Sequence, residues 1–138
     1  MDYRRLFVDS DVLLDILLKR SPFYFYTQLL LLESDKKNIK LDTSALVISN
    51  IHYVLSRSIG AAASRKNIKE LLKTIKILSV DNDIIGLALD SNIADFEDAI
   101  QSLIAERYKC DAIITRNIKD YRHANLPVFT PEQFLEIL

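Results

Sequence analysis

Five short apolar runs, each set off from the next by a stretch patterned for helix, constrain this 138-residue chain more than any other feature. They are Arg5 to Val8, Ile39 to Leu41, Ile77 to Val80, Ala112 to Thr115 and Pro127 to Phe129. The runs read as apolar on both faces rather than alternating, the pattern of strands buried in a parallel sheet. The spacing predicts helices over Val12–Lys19, Phe23–Ser34, Thr43 or Ser44 to Ile59, Ser64–Lys76, Asp81–Asn92 and Phe96–Tyr108. A helical turn is expected over Asn117–Arg122, and a last helix opens at Thr130-Pro131-Glu132 with proline at its first position. Strands alternating with helices predict an α/β fold. The expected architecture is a three-layer α/β/α sandwich with a central five-stranded parallel sheet and right-handed crossovers.

The length suits a single domain over residues 1–138, large enough for its own core. Cys110 is the only cysteine, so an intrachain disulfide is excluded. A buried thiol in a reducing, cytoplasmic setting is the expectation. Met1-Asp2-Tyr3-Arg4-Arg5 leads into only three apolar residues before Asp9, which does not read as a signal peptide, and no apolar run is long enough to span a membrane. The net charge of −1 argues against a protein that coats nucleic acid, but an acidic site offset by basic residues elsewhere gives the same sum.

The acidic residues sit where strands end. Asp9 and Asp11 follow the first run, Asp95, Glu97 and Asp98 open a helix, and Asp120 follows the fourth run shortly after Thr115 and Asn117. An open parallel sheet gathers strand ends along one edge, where α/β folds place their sites. Carboxylates crowded there repel unless a cation lies between them, and hard oxygen ligands suit Mg²⁺ or Mn²⁺. Asp11 is read as the cap of the first helix, which leaves Asp9 as a metal ligand. Asp15 is read as the partner of Lys19 one turn on. Asp95 is the natural cap of its helix, Glu97 a first-turn acid favoured by the helix dipole, and Asp98 the inward-facing ligand. Arg116 and Lys119 flank the last acidic stretch and are candidates for holding a phosphate backbone. Tyr24, Tyr26, Tyr53 and Tyr121 are candidates for stacking on bases, although core packing is the commoner use of such residues. His52 and His123 lack partners at zinc-type spacing.

The stretches Phe7-Val8-Asp9-Ser10-Asp11-Val12-Leu13-Leu14-Asp15, Ser49-Asn50-Ile51, Asp95-Phe96-Glu97-Asp98-Ala99 and Thr115-Arg116-Asn117-Ile118-Lys119-Asp120-Tyr121 resemble those of PIN-domain proteins. The resemblance spans essentially the whole chain. It implies a Mg²⁺- or Mn²⁺-dependent ribonuclease of the kind found as bacterial toxins, with an RNA substrate, an antitoxin partner and a homodimeric assembly. By motif, Asp9 matches the first family acid, Asp98 the third, and Asn117 or Asp120 the fourth region, with Thr115 as the hydroxyl residue before it. There are two departures. Asp11 stands where the family usually has Asn, and Asn50 stands where it usually has its second acid, a Glu. Asn50 can ligate through its carbonyl but brings no charge.

Two other readings compete. One is a catalytically degenerate PIN domain that binds RNA or a protein, supported by Asn50. The other is an aspartate-nucleophile phosphatase suggested by Asp9-Ser10-Asp11, which lacks the glycine-containing loop of that class. The apolar run Leu29–Leu32 and the aromatic group Phe23–Tyr26 exceed what one helix face needs and offer a dimer or antitoxin surface.

Overall fold

The computed structural model describes residues 2–138, so Met1 of the chain start lies outside them. Its elements run β1 (Arg5–Val8), α1 (Ser10–Leu17), α2 (Phe23–Lys36), β2 (Lys40–Ser44), α3 (Ala45–Ile59), α4 (Ala61–Leu71) and β3 (Ile75–Leu78). They continue through α5 (Asn82–Leu89), α6 (Phe96–Arg107), β4 (Ala112–Ile114), a 3₁₀ turn (Ile118–Tyr121), β5 (Val128–Phe129) and α7 (Pro131–Ile137). The strands form one sheet in the order β3-β2-β1-β4-β5, with every neighbouring pair parallel. Leu6, Phe7 and Val8 of β1 and Ala112, Ile113 and Ile114 of β4 are buried on both faces, so helices cover the sheet from both sides. The expected α/β architecture is the observed one.

The chain leaves β1 toward β2 and β3, then returns to the other side of β1 for β4 and β5. Strand order therefore reverses between β1 and β4. A crevice opens beyond the carboxyl ends of two such strands because their connections leave in opposite directions. Asp9 and Thr115, the first residues after β1 and β4, stand at its mouth.

Two strands differ from expectation, for physical reasons. β2 continues through Asp42, Thr43 and Ser44, three polar residues that are nonetheless buried. Each finds a partner. Arg5 reaches Asp42 Oδ2 with Nε and Nη2, both at 2.9 Å. Thr43 Oγ1 donates to the Val8 carbonyl at 2.9 Å, and Ser44 Oγ donates to Gln101 Oε1 at 2.6 Å while accepting from Val47 N at 3.1 Å. Satisfied polar groups can lie in a core, and an apolar-run criterion does not see them. β3 begins at Ile75 rather than Ile77, because α4 ends at Leu71 and β3 takes its register from β2 (Leu41 opposite Ile75). It is an edge strand, and Lys76 and Ile77 are exposed rather than buried on both faces.

Helix ends follow local chemistry. Ser44, Asp81, Asp95 and Thr130 cap α3, α5, α6 and α7 with side-chain acceptors, and Thr130 and Gln133 form a capping box. Gly60 ends α3 at φ +89°, a backbone region that an L side chain rarely adopts. Cys110 is buried as expected, and burial together with the nearby Asp42 carboxylate pushes its thiol up to about 12. Among the described residues, no helix is long and apolar enough to cross a membrane.

Phe7 lies in the central strand, fully buried within the hydrophobic core. Phe7→Ala should cost ~3–5 kcal/mol in urea unfolding, the range for removing a large core ring. A loss below ~1 kcal/mol would contradict that placement.

Candidate functional site: an acidic edge at the strand ends

Asp9 leaves β1 and turns the chain into α1. It occupies the N-cap position, which corrects the expectation that Asp11 does so. Its carboxylate is 7% exposed. Oδ1 accepts from Ser10 N at 2.8 Å, and Oδ2 accepts from Thr115 Oγ1 at 3.1 Å and from Tyr121 Oη at 3.0 Å. Burial raises the pKa of Asp9 above the ordinary carboxylate value, and these three donors oppose that rise without cancelling it.

Asp11 ties α1 to the segment after β4. Its Oδ1 accepts from Val12 N at 2.7 Å, and its Oδ2 accepts from Arg116 N at 3.0 Å. Thr115 Oγ1 lies 3.4 Å from the same Oδ2, so its single proton is shared between Asp9 and Asp11. Burial first, then the Asp9 charge, lifts Asp11 to about 6.

Asp95 caps α6 as expected, accepting from Asp98 N at 3.0 Å. Asp98 is half-buried as the third residue of α6. Burial is the first cause of its raised pKa, followed by the charges of Asp9, Asp95, Asp120 and Glu97, and together they bring it to about 7. Four carboxylates from three parts of the chain thus bear on one carboxyl group. Asp120 lies exposed on the 3₁₀ turn, where its N–H donates to the Asn117 carbonyl at 3.0 Å. Asn117 is exposed, and its N–H donates to Thr115 Oγ1 at 3.1 Å.

Two residues carry more than their sequence positions suggest. Glu97 is half-buried and accepts a hydrogen bond from Asn50 Nδ2, which reaches it from α3. Burial, then the Asp95 charge, raises its pKa. A carboxylate therefore lies directly against Asn50, where the sequence shows only an amide. Tyr121 is 1% exposed, with its hydroxyl on Asp9. It cannot stack on a base and takes the commoner, core use of such a residue. Burial and the surrounding carboxylates keep its phenol protonated, so it serves Asp9 as a fixed donor. Neither role has a local sequence signal, since the partners lie 47 and 112 residues away along the chain.

Asp15 pairs with Arg20 and Arg116 rather than with Lys19. It is fully buried, and its oxygens accept from Arg20 Nε at 2.8 Å and from Arg116 Nε and Nη2 at 2.7 and 3.1 Å. Lys19 instead takes a left-handed backbone conformation (φ 53°) just past the end of α1. The Arg116 guanidinium also lies 3.9 Å from the Phe23 ring centroid, so most of it is committed within the fold. Lys119 is exposed. His52 Nδ1 shares a hydrogen bond with Ser64 Oγ at 2.8 Å and His123 is exposed, and neither joins the acidic edge.

Among the described residues, no three His, Cys, Asp or Glu side chains close into a ready-made metal cage. The carboxylates share an electrostatic neighbourhood instead. That arrangement suits a cation held by one or two carboxylates plus water, the usual habit of Mg²⁺, more than a dedicated all-protein cage. The positive end of the α6 dipole offsets part of the crowding at Asp95, Glu97 and Asp98.

The sign of the pH dependence follows. Asp98 binds its proton more tightly in the folded chain than in the unfolded one, so its contribution to stability is greatest below pH ~4 and is lost as pH rises through about 7. In EDTA, the wild-type thermal midpoint should therefore be higher at pH 5.5 than at pH 7.5, and Asp98→Asn should shrink that difference. An unchanged difference in the variant would show that Asp98 is not the strained group.

The chain is similar in sequence and in fold to known proteins. The family model described as PIN domain matches residues 5–119. Ribonuclease VapC1 of Aquifex aeolicus is 28% identical over 141 residues, which cover 99% of this chain and 96% of that protein. Among solved structures, FitAcB from Neisseria gonorrhoeae superposes with a TM-score of 0.72 at 14% identity, over 92% of this chain and 98% of that one. A toxin–antitoxin complex from Klebsiella pneumoniae gives 0.68 at 20% identity, over 91% and 97%. The strand order, the acidic edge at the reversal point and the family match converge, and the chain belongs to the PIN-domain family.

Proposed function

We propose that this protein is a divalent-metal-dependent endoribonuclease acting at the acidic edge, and the toxin of a toxin–antitoxin pair. The observation that carries the reading is the setting of Asp98. Asp9, Asp95, Asp120 and Glu97 all raise its pKa, and no ion pair among the described residues involves any of these five carboxylates. Such a cluster calls for a cation from outside the chain. The donors are all oxygens, which fits Mg²⁺ or Mn²⁺. The naming of the 28%-identical relative as a ribonuclease supports the substrate class.

Asp9 and Asp98 would hold the ion. A bound divalent ion supplies charge neutralisation at a phosphate and acidifies a bound water. Tyr121 and Thr115 hold the Asp9 carboxylate in place by occupying Oδ2. Glu97 brings to Asn50 the negative charge that position 50 lacks, so the Asn50–Glu97 pair stands in for the family's second acid. Asp120 and Asn117, both exposed on the segment after β4, would orient an attacking water. Lys119, exposed on the same segment, would hold the RNA backbone.

The phosphatase reading loses ground at Asp9. Both its oxygens already accept hydrogen bonds and little of the carboxylate is exposed, a poor state for a nucleophile. The degenerate-module reading rested on the missing charge at Asn50, which Glu97 restores.

An antitoxin partner is supported by the toxin–antitoxin complex among the structural neighbours. Exposed Phe25 and Leu32, which share one face of α2, offer an apolar surface for that partner or for a homodimer. One sheet and one continuous core favour a single working domain over residues 1–138. An RNA substrate and a free buried thiol fit a cytoplasmic setting.

The test is cleavage of a mixed structured-RNA pool in Mn²⁺, Mg²⁺ or EDTA. Wild type should cut with either metal and not in EDTA. Asp9→Asn and Asp98→Asn should each lose more than ~100-fold, beyond the usual range for groups that only support a ligand. Glu97→Gln should lose ~10–100-fold and weaken Mn²⁺ binding followed by electron paramagnetic resonance, and adding Asn50→Glu should restore binding. Cleavage in EDTA would overturn the metal dependence. Undiminished Mn²⁺ binding by Glu97→Gln would remove Glu97 from the site.

A further inference from the structure

A cavity of ≈ 180 Å³ lies beside the acidic edge, lined by Phe23, Tyr26, Arg116, Thr130, Pro131 and Glu132. It is connected to the site through one residue. The Arg116 backbone N–H donates to Asp11 Oδ2 at the edge, while the Arg116 side chain forms part of the cavity wall. The volume falls below that of a site for a drug-sized ligand, so it suits one small planar group.

Its wall carries both charges. Asp15 engages Arg116 through Nε and Nη2 only, and Nη1 has no hydrogen-bond partner among the described residues. Arg20 also shares Asp15 and donates from Nη2 to the Asp11 carbonyl at 3.1 Å, so the Asp15 carboxylate is divided between two guanidinium groups. Packing on Phe23 fixes the Arg116 plane, so little side-chain freedom remains to be lost on binding. Glu132, from the start of α7, is exposed and has no hydrogen-bond or ion-pair partner among the described residues. Thr130 is already used in its capping box. Phe23 and Tyr26 supply aromatic surface.

We propose that this cavity is a subsite for a guanine base of single-stranded RNA, a reading that rests on the ribonuclease function proposed above. Guanine alone among the four bases offers adjacent acceptors, O6 and N7, on one edge, and adjacent donors, N1–H and N2–H₂, on another. The first pair matches the Arg116 donor edge and the second the Glu132 carboxylate. Adenine places its N6 donor beside N7 and so meets Arg116 with a donor. Uracil has one ring N–H flanked by acceptors, and cytosine has a single donor group, so neither satisfies Glu132 with two. The aromatic surface adds stacking, which every base can use, and the charged pair supplies the discrimination.

The test is nuclear magnetic resonance titration of ¹⁵N-labelled protein in EDTA with guanosine, adenosine, cytidine and uridine 5′-monophosphates. The guanosine nucleotide should shift the Arg116 Nε–H and the Phe23 amide, and bind about fivefold or more tightly than the others. Inosine 5′-monophosphate, which lacks the 2-amino group, should bind more weakly than guanosine monophosphate. Glu132→Gln, an exposed and conservative change, should bring guanosine monophosphate down to the level of the rest. Equal binding of all four, shifts confined to residues outside the cavity, or an undiminished preference in Glu132→Gln would each overturn the subsite. Because no metal is present, guanine preference in a protein that cleaves no RNA supports the subsite while removing the ribonuclease reading.

Discussion

A buried carboxylate at the end of the central strand sets the terms for everything around it. Asp9 can lie at 7% exposure only because three donors reach it, one from the start of α1, one from the end of β4 and one from the 3₁₀ turn. Taking such a group out of water is costly unless it is hydrogen-bonded, and its raised pKa shows that the donors do not fully compensate. The remaining deficit is available to a cation. Thr115 and Tyr121 therefore serve the fold and the site at once. They lock β1 to β4 across the point where strand order reverses, and they aim the carboxylate at the crevice that the reversal creates.

Much of the fold was legible in the sequence because parallel strands leave a strong trace. The runs ending at Val8 and Ile114 are apolar on both faces, and both are central strands. The caps Ser44, Asp81, Asp95 and Thr130 were also visible, since an N-cap depends on a few adjacent residues. The cap of α1, Asp9 rather than Asp11, was a local misreading, and the others depended on distant partners. Asp42, Thr43 and Ser44 look like the lead-in to a helix until Arg5, the Val8 carbonyl and Gln101 are brought beside them. Asp15 looks like a surface partner of Lys19 until the β4 exit delivers Arg116.

The candidate site divides the same way. Asp9, Asp98 and Asp120 were visible from their places at strand and helix ends, and in the structure Asp9 and Asp120 both bear electrostatically on Asp98. Glu97 was read as a helix-dipole acid, which its position in the first turn of α6 allows. Only the fold brings the start of α6 close enough to α3 for Glu97 to meet Asn50. Charge at such an edge is a property of the neighbourhood, so a carboxylate lost from one helix can be supplied by the next. Arg116 shows the reverse case. A basic residue beside an acidic motif reads as a phosphate contact, yet Asp15 and Phe23 claim most of its guanidinium.

The most direct test of the account is anomalous diffraction from crystals soaked in Mn²⁺. The account predicts a peak at the carboxyl edge, with oxygens of Asp9 and Asp98 within coordinating distance and the Glu97 carboxylate on its near side. No peak at that edge, with the metal bound elsewhere or not at all, would contradict the claim that these crowded carboxylates exist to hold a cation.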